Sequence, residues 1–522
     1  MARHCSGFEE ENMISVLYTT PRSVTFDIDD GGKYNTRSAY KMSISAVVEN
    51  DGDADAFTIS DNRSVVSVFG LRPDTRYSVS VAFDDGHAED FTASFTTKHE
   101  SMTLNVRDFG AAGDGEADDT AFIQSAIMCC PKDGRVLIPE GTFRHTGVYL
   151  KSDIYIELAE GAMLVLDTER THIPHFPARL EGSSGVDEYF LGTWEGEPQP
   201  MFNGSVTGVN VRNCCVYGRG RIDGGAGKEN WWLNPKVMNI AYRPRLIFLK
   251  GCEDVSFQGV LLSNSPSWTV HPFFSKRLGF YNITINNPWD SPNTDGIDPE
   301  SCDGVEIAGV HFSLGDDCIA VKSGKIDMGR IYKTPSQNIH IFGCLMEDGH
   351  GAVTVGSEAA AGVRNLLVER CCFARTDRGL RVKTRRGRGR DSVMDDIIFR
   401  DIDMDGVVTP FVVNSFYFCD ADGKTDYVQC RDSLPVDERT PVIKRLVFER
   451  IHAVNSHFAA GWIEGLPEQP VEEIVLRDID VSFDTHARKG IPAMALNVPE
   501  CTREGFIIKN VLKVTEENVV VG

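Results

Sequence analysis

Four short motifs in this chain carry residues whose types and spacing suit acid and base chemistry. In chain order they are Asn293-Thr294-Asp295-Gly296-Ile297-Asp298, then Gly315-Asp316-Asp317-Cys318-Ile319-Ala320-Val321-Lys322, then Asp348-Gly349-His350-Gly351, then Arg381-Val382-Lys383. If Asp295 comes to lie beside the Asp316/Asp317 pair, mutual repulsion raises the pKa of at least one of the three carboxyls. A protonated acid and ionised neighbours then coexist near neutral pH. Glycoside hydrolysis needs that division, with one group protonating the leaving oxygen and another deprotonating water. The glycines around His350 permit close backbone approach. Arg381 and Lys383 alternate along one strand face, an arrangement suited to a substrate carboxylate.

The elements that must position these motifs show in an internal repeat. An apolar pattern Φ-x-Φ-x-x-Φ-x-Φ with a polar middle returns at Val255/Phe257/Val260/Leu262, Leu278/Phe280/Ile283/Ile285 and Val305/Ile307/Val310/Phe312. It continues through copies starting at Ile339, Leu366, Ile397, Leu446 and Ile474, with a last copy expected from Phe506. Starts fall roughly 23 to 34 residues apart, except for the 49 residues between Ile397 and Leu446, which imply an inserted loop. Two short strands hinged at a polar residue and repeated at this period are the coils of a solenoid. The fold class expected is all-β, a parallel β-helix. Stacked coils bring residues of equal phase to within about 5 Å of each other, so Asp295 should face Asp316 and Asp317, with His350 and then Arg381 one coil further each. Inverting glycosidases generally hold their carboxyls roughly 6.5 to 9.5 Å apart, so position alone does not establish stereochemistry.

The coils are preceded by two other regions. Residues 12–98 read as short alternating strands (Val24–Ile28, Tyr40–Val48, Val65–Phe69, Tyr77–Phe83, Phe91–Phe95), the pattern of a small β-sandwich. The segment Gly70-Leu71-Arg72-Pro73-Asp74-Thr75-Arg76-Tyr77 resembles the fibronectin type III module, in which such a tyrosine anchors a corner. Domains are accordingly expected at 1–100 and 101–522. The second opens with a glycine- and acid-rich turn leading into an amphipathic helix, with Asp118, Asp119 and Thr120 as its N-terminal residues. This segment resembles the cap that covers the core's open end in pectin-degrading β-helix enzymes.

Composition narrows the partners. A formal net charge of -23 over 522 residues disfavours nucleic acid and other polyanions. The stretch from Arg378 to Arg390 holds seven cations and no acid, and reads as one concentrated positive site for a small anion. Of the 14 cysteines, several are adjacent and most lie in apolar runs, which points to buried reduced thiols. No CxxC or His-rich spacing supports a metal, no apolar run suits a membrane span, and no cofactor is expected. The start MARHCSGFEEENMISVLYTT places acids where an export signal would be apolar, so the cytoplasm is the expected compartment.

From Met102 onward, about 420 residues resemble family 28 of the glycoside hydrolases, the polygalacturonases, on the four motifs in order: Asn293-Thr294-Asp295, Gly315-Asp316-Asp317, Gly349-His350-Gly351 and Arg381-Val382-Lys383. The resemblance implies a right-handed, pectin-lyase-like β-helix and inverting hydrolysis of α-1,4-galacturonosidic bonds. It implies Asp316 as general acid, Asp295 with Asp317 as activators of water, and His350 tuning the acid. It further implies Arg381 and Lys383 on the galacturonate carboxylate, so that Arg381→Ala mainly weakens affinity, and Asn293 ordering the site. Pro410-Phe411-Val412-Val413-Asn414-Ser415-Phe416-Tyr417 resembles a later family motif that ends in a substrate-contacting tyrosine, here Tyr417. The likeness is to bacterial exo-acting members in particular, some of which carry a fibronectin-type module in front. The expected partner is an oligogalacturonide or other pectic substrate. The Trp194 region, Trp231/Trp232 and the insertion from Phe418 to Pro441 are candidates to close one end of the cleft. Competing readings are a calcium-dependent pectate lyase and a non-catalytic glycan-binding β-helix, the latter having no need of Asp295, Asp316 and Asp317 together.

Overall fold

The structure is a computed structural model that describes residues 13–47, 56–88, 90–181 and 188–522. Residues 1–12, on which the reading of the chain's start rests, and Val48, the expected end of a strand, lie outside the described residues. The chain divides into two compact units, Met1–Glu100 and Ser101–Gly522.

The first unit has two antiparallel sheets. One orders the strands Ile14–Thr19, Ser23–Ile28 and Val65–Phe69; the other orders Ala56–Arg63, Asn35–Ala46, Arg76–Phe83 and Phe91–Thr96. Alternate residues of the central strands, among them Val24, Phe26, Tyr40, Met42, Tyr77, Val79 and Val81, make the core. Two strands escape the apolar pattern. In Ala56–Arg63 no residue is fully buried, so little apolar alternation is demanded of it. Ile14–Thr19 has a single buried residue, Ile14. Tyr77 stacks on Phe95, and its hydroxyl accepts a hydrogen bond from the Arg72 backbone N–H at 2.9 Å, tying the turn to the strand. Tyr77→Phe leaves that partly buried N–H without its acceptor and is expected to cost about 1 kcal/mol, measurable by denaturant unfolding.

The second unit is a parallel β-helix, right-handed as strand–crossover–parallel-strand connections are. The repeat positions stack in register: Phe257 on Phe280, then Ile307, Ile341, Val368, Phe399, Phe448 and Leu476. Leu262 likewise stacks on Ile285, and the column continues with Phe312, Met346, Phe373, Met404, Ala453 and Val481. All of these side chains are buried. The polar hinge has a backbone cause. Asn282 adopts left-handed φ between its two strands, and Arg370, Asp401, Arg450 and Asp478 do so inside continuous strands, a conformation that asparagine, aspartate and glycine tolerate best.

The last copy departs from expectation. Glu504–Lys509, which contains Phe506, belongs to a different ribbon, and the final coil of the repeat is Val511–Val521, with Val519 on Ile479 and Val521 on Val481. Leu512 and Val520 in it are exposed, which weakened the apolar pattern there. At the other end the helix Thr120–Cys129 packs Ile123, Ala126 and Ile127 against the first coils. Asp118 accepts from the Thr120 N–H, as expected of a helix start. Asp119 instead turns inward to accept from Ala112 and Gly113. The described cysteines are free, most of them buried in the core. Among the described residues no helix is long and apolar enough to cross a membrane.

Candidate active site

A second parallel ribbon carries the motifs. It stacks Asp317–Val321, Gly351–Val355, Arg378–Lys383, Thr409–Asn414, Ala459–Glu464 and Glu504–Lys509. Single bridges at Ile297 and Glu300 continue it back to Val270–Phe273. Ile297 pairs with Ile319, which sets Asp295 beside Asp317; Asp317 pairs with Gly351, and Thr354 with Arg381. The coil period thus gathers the four motifs as the sequence led one to expect.

Asp295, Asp316 and Asp317 each place a carboxylate oxygen within 4.8 Å of the others. That spacing would let one cation touch all three. Both oxygens of Asp317 are already engaged, however, by Arg381 Nη1 at 3.1 Å and Lys383 Nζ at 2.8 Å. One member of the trio is thus already balanced by two cations of the chain itself. The environments of the three members diverge. Burial and the carboxylates of Asp298 and Asp316 push Asp295 well above the ordinary range. Burial also works to raise Asp317, but the charges of Lys383 and Arg381 outweigh it and hold the group well below that range. Asp316 is partly open to solvent, and His350 Nδ1 lies 3.3 Å from its Oδ1. That hydrogen bond raises the His350 pKa, an effect moderated by solvent because the imidazole is 57% exposed.

Two glycines make this approach possible. Gly349 has φ +86°, and a Cβ there would clash with the Asp316 carbonyl, which accepts from the His350 N–H at 3.0 Å. A Cβ on Gly351 would lie 2.6 Å from Asp317 Oδ1, so glycine leaves the space the carboxylate occupies.

All eight residues singled out in the sequence line one cavity of about 720 Å³: Asn293, Asp295, Asp316, Asp317, His350, Arg381, Lys383 and Tyr417. Asn293 has left-handed φ and is fixed by Arg243, whose Nη2 donates to its Oδ1 at 2.7 Å. The Tyr417 ring is 9% exposed and flanked by the charges of Arg381 at 5.8 Å and Lys383 at 5.2 Å.

The cationic stretch is not the single anion site it resembled. Arg381 and Lys383 reach the cavity. Arg385 pairs with Asp420 and Asp422, Arg388 pairs with Asp420, and Arg386 pairs with Glu468 and donates to the carbonyls of Tyr427 and Cys430. Their acids come from the insertion after Phe418 and from the next coil, too far along the chain to show in a local charge count.

The aromatic candidates for closing the cleft also resolve. Trp231 is fully buried against Phe202, Trp232 donates to the Ser265 carbonyl, and Trp194 stacks on Tyr242 at 4.7 Å, so these rings pack the scaffold. The cavity wall is instead made by Glu195, beside Trp194, by Trp268 and Trp289, and by Cys419 and Asp420 of the insertion. Lys322 and Glu358 form part of the floor. The sequence offered a clue to Lys322, a charged residue ending an apolar strand directly after the Asp pair. Glu358 and Trp268 gave none.

The profile described as "Glycosyl hydrolases family 28" matches residues 184–481, and that of "Rhamnogalacturonase A/epimerase, pectate lyase-like" matches 103–159. An endo-polygalacturonase of Pectobacterium carotovorum subsp. carotovorum is 33% identical over 315 residues, 57% of this chain and 72% of that protein. A hyperthermoactive exopolygalacturonase from Thermotoga maritima superposes with a TM-score of 0.61 at 25% identity, covering 80% of this chain and 93% of that one. The family 28 exopolygalacturonase of Yersinia enterocolitica shares the fold at a TM-score of 0.65 and 19% identity, over 98% of this chain and 99% of that one. The first profile spans more than half of the chain and contains all four motifs of the cavity, and the chain belongs to family 28 of the glycosyl hydrolases.

Proposed function

We propose that this glycoside hydrolase cleaves α-1,4-galacturonosidic bonds of oligogalacturonides by a single displacement with inversion, acting from a chain end. The observation that carries the reading is the convergence of the four family motifs on one cavity, and the roles are those the family resemblance implies. Asp317 is neutralised by two cations, Asp295 is pushed up by burial and like charge, and Asp316 is left towards solvent beside an imidazole. In this reading Asp316 protonates the leaving oxygen, and His350 resupplies its proton. Asp295 and Asp317 orient the water and remove its proton. Arg381, Lys383 and Tyr417 face the substrate carboxylate, and Asn293 orders the loop that bears Asp295. Inversion is taken from the family resemblance and not from the geometry, since oxygens of the three carboxyls lie within 4.8 Å of one another, closer than the roughly 6.5 to 9.5 Å between the carboxyls of inverting enzymes.

Attack from a chain end is supported by how one wall is strapped. The hairpin of Thr193–Trp194 and Glu197–Pro198 presents Glu195 to the cavity, and its Gly196 carbonyl accepts from the Lys325 N–H at 3.0 Å, fastening it to the catalytic coils. A time course on tri- and tetragalacturonate tests the proposal, following product size, reducing ends, anomeric configuration and unsaturated-product absorbance together. Saturated mono- or digalacturonate from the first minutes, with inverted configuration, is expected. Random intermediate lengths would exclude chain-end attack, and unsaturated products would exclude hydrolysis.

A further inference from the structure

Beneath the aspartates lies a lysine to which the reaction above gives no task. Lys322 is 3% exposed, and its Nζ lies 3.8 Å from Asp295 Oδ2, 3.9 Å from Asp298 Oδ2 and 3.4 Å from Glu358 Oε2. The Trp268 ring, 4.3 Å away, covers a further side and favours the charged form. Asp298 is fully buried, and neither of its carboxylate oxygens accepts a hydrogen bond from any described residue; the same holds for Asp295 Oδ1. Three carboxylates thus draw on one ammonium: Glu358 accepts its hydrogen bond at 3.4 Å, and Asp295 and Asp298 stand slightly further off at nearly equal distance.

We propose that Lys322 is a positioning residue for hydrolysis, keeping Asp295 ionised as the base, and that Asp298 opposes it by competing for the same ammonium. The inference rests on the reading of Asp295 as a base. A base must be ionised before it can take a proton from water, and here burial and three neighbouring carboxylates, Asp298, Asp316 and Asp317, favour the protonated form. Among the described residues, the cation paired with Asp295 is Lys322. Arg381 and Lys383 are committed to Asp317.

The other carboxylates around Lys322 either meet further cations or are kept protonated, burial pushing Glu300 up to about 8. Glu358 also feels Arg388, Lys383 and Lys325. Glu300, which pairs in register with Lys322, is hydrogen-bonded to His271 Nε2 at 2.9 Å, and His271 is kept neutral by burial and by Arg245 and Lys322. Asp298 feels Arg245 besides Lys322, and burial still lifts it to about 7. The charge it carries sets the share of the ammonium left to Asp295.

The test is the pH profile of kcat/KM on trigalacturonate for the wild type, Lys322→Met and Asp298→Asn. Loss of the ammonium removes the force favouring ionised Asp295, so the acidic limb should move to higher pH by about one unit or more. At the wild-type optimum kcat should fall about tenfold, with KM changed only a few-fold. Loss of the competing charge should move the limb the other way in Asp298→Asn. Packing damage lowers activity without producing opposite shifts. Limbs that superpose on the wild type, or that move in the same direction, would overturn the proposal. If Lys322→Met fails to fold by circular dichroism, Lys322→Gln takes its place: an acidic limb moved to higher pH supports the inference and an unmoved limb refutes it. An Asp295→Asn variant with wild-type turnover would overturn the assigned base and this inference together, whereas an inactive one beside unmoved limbs would overturn this inference alone.

Discussion

Asp316→Asn is expected to lower kcat on trigalacturonate by about 100- to 10,000-fold, the range over which a positioned acid contributes to proton transfer. The amide keeps the size of the carboxyl, and its oxygen can still accept the Asp317 N–H that Asp316 Oδ1 accepts now at 3.0 Å. The turn therefore survives, and affinity for the trimer, measured by calorimetry, should stay within a few-fold of wild type. What the amide cannot do is release a proton to the leaving oxygen. His350 does not make up the loss, because it reaches the reaction through Asp316: its Nδ1 lies 3.3 Å from that carboxylate and its ring is 57% exposed. The partner variant His350→Asn should accordingly cost less than Asp316→Asn and should cost little more when added to it, since residues that act as a unit are not additive. Turnover by Asp316→Asn within tenfold of wild type would remove the acid from the mechanism.

That the three aspartates could be expected to meet reflects the kind of fold this is, whereas the choice of Asp316 as acid comes from the family resemblance alone. In a β-helix the sequence period is also the spatial period, so Asp295, Asp317 and Gly351 become neighbours simply by being one coil apart. The same logic made the core columns legible, since Phe257 to Leu476 occupy one phase of the repeat. Legibility fails where contacts ignore the period. The partners of Arg385, Arg386 and Arg388 sit in an insertion and a later coil, so seven neighbouring cations looked like one field when three of them are neutralised one by one. Trp231 and Trp268 are the same residue type in similar polar surroundings, yet one packs the scaffold and the other roofs an ammonium. Only the path of the loops separates them. Asp298 has no distinct role in the sequence beyond closing the first motif, and its lack of a hydrogen-bond partner is a fact of three dimensions.

Arg381→Ala is expected to reach further than the loss of affinity that the sequence led us to expect. In the structure the guanidinium is 4% exposed and engages Asp317 at 3.1 Å, so before any substrate arrives its work is to share the neutralisation of a buried carboxylate with Lys383. Breaking a buried pair costs about 3 to 5 kcal/mol, and because Lys383 remains at 2.8 Å the loss here should fall near the lower figure, about 3 kcal/mol. The pH dependence of that loss is fixed by sign. A carboxyl whose folded pKa is depressed contributes stability that is present above its unfolded value, about 4, and is lost as pH falls towards the folded one. With only Lys383 left the depression is smaller, so on acid titration the loss should start at the same pH as in the wild type, near the unfolded value, but be smaller and complete at a higher pH. Activity should fall in kcat as well as in affinity, because an Asp317 freed to move no longer holds water against Asp295. Arg381→Lys separates the two roles: it restores a charge and most of the stability, but a point charge lacks the fork that can hold Asp317 with one nitrogen and present another to the cavity. Recovery of stability without recovery of kcat would place Arg381 in both tasks, whereas a variant Arg381→Ala with unchanged stability and kcat and a raised KM alone would return it to the role of a substrate clamp.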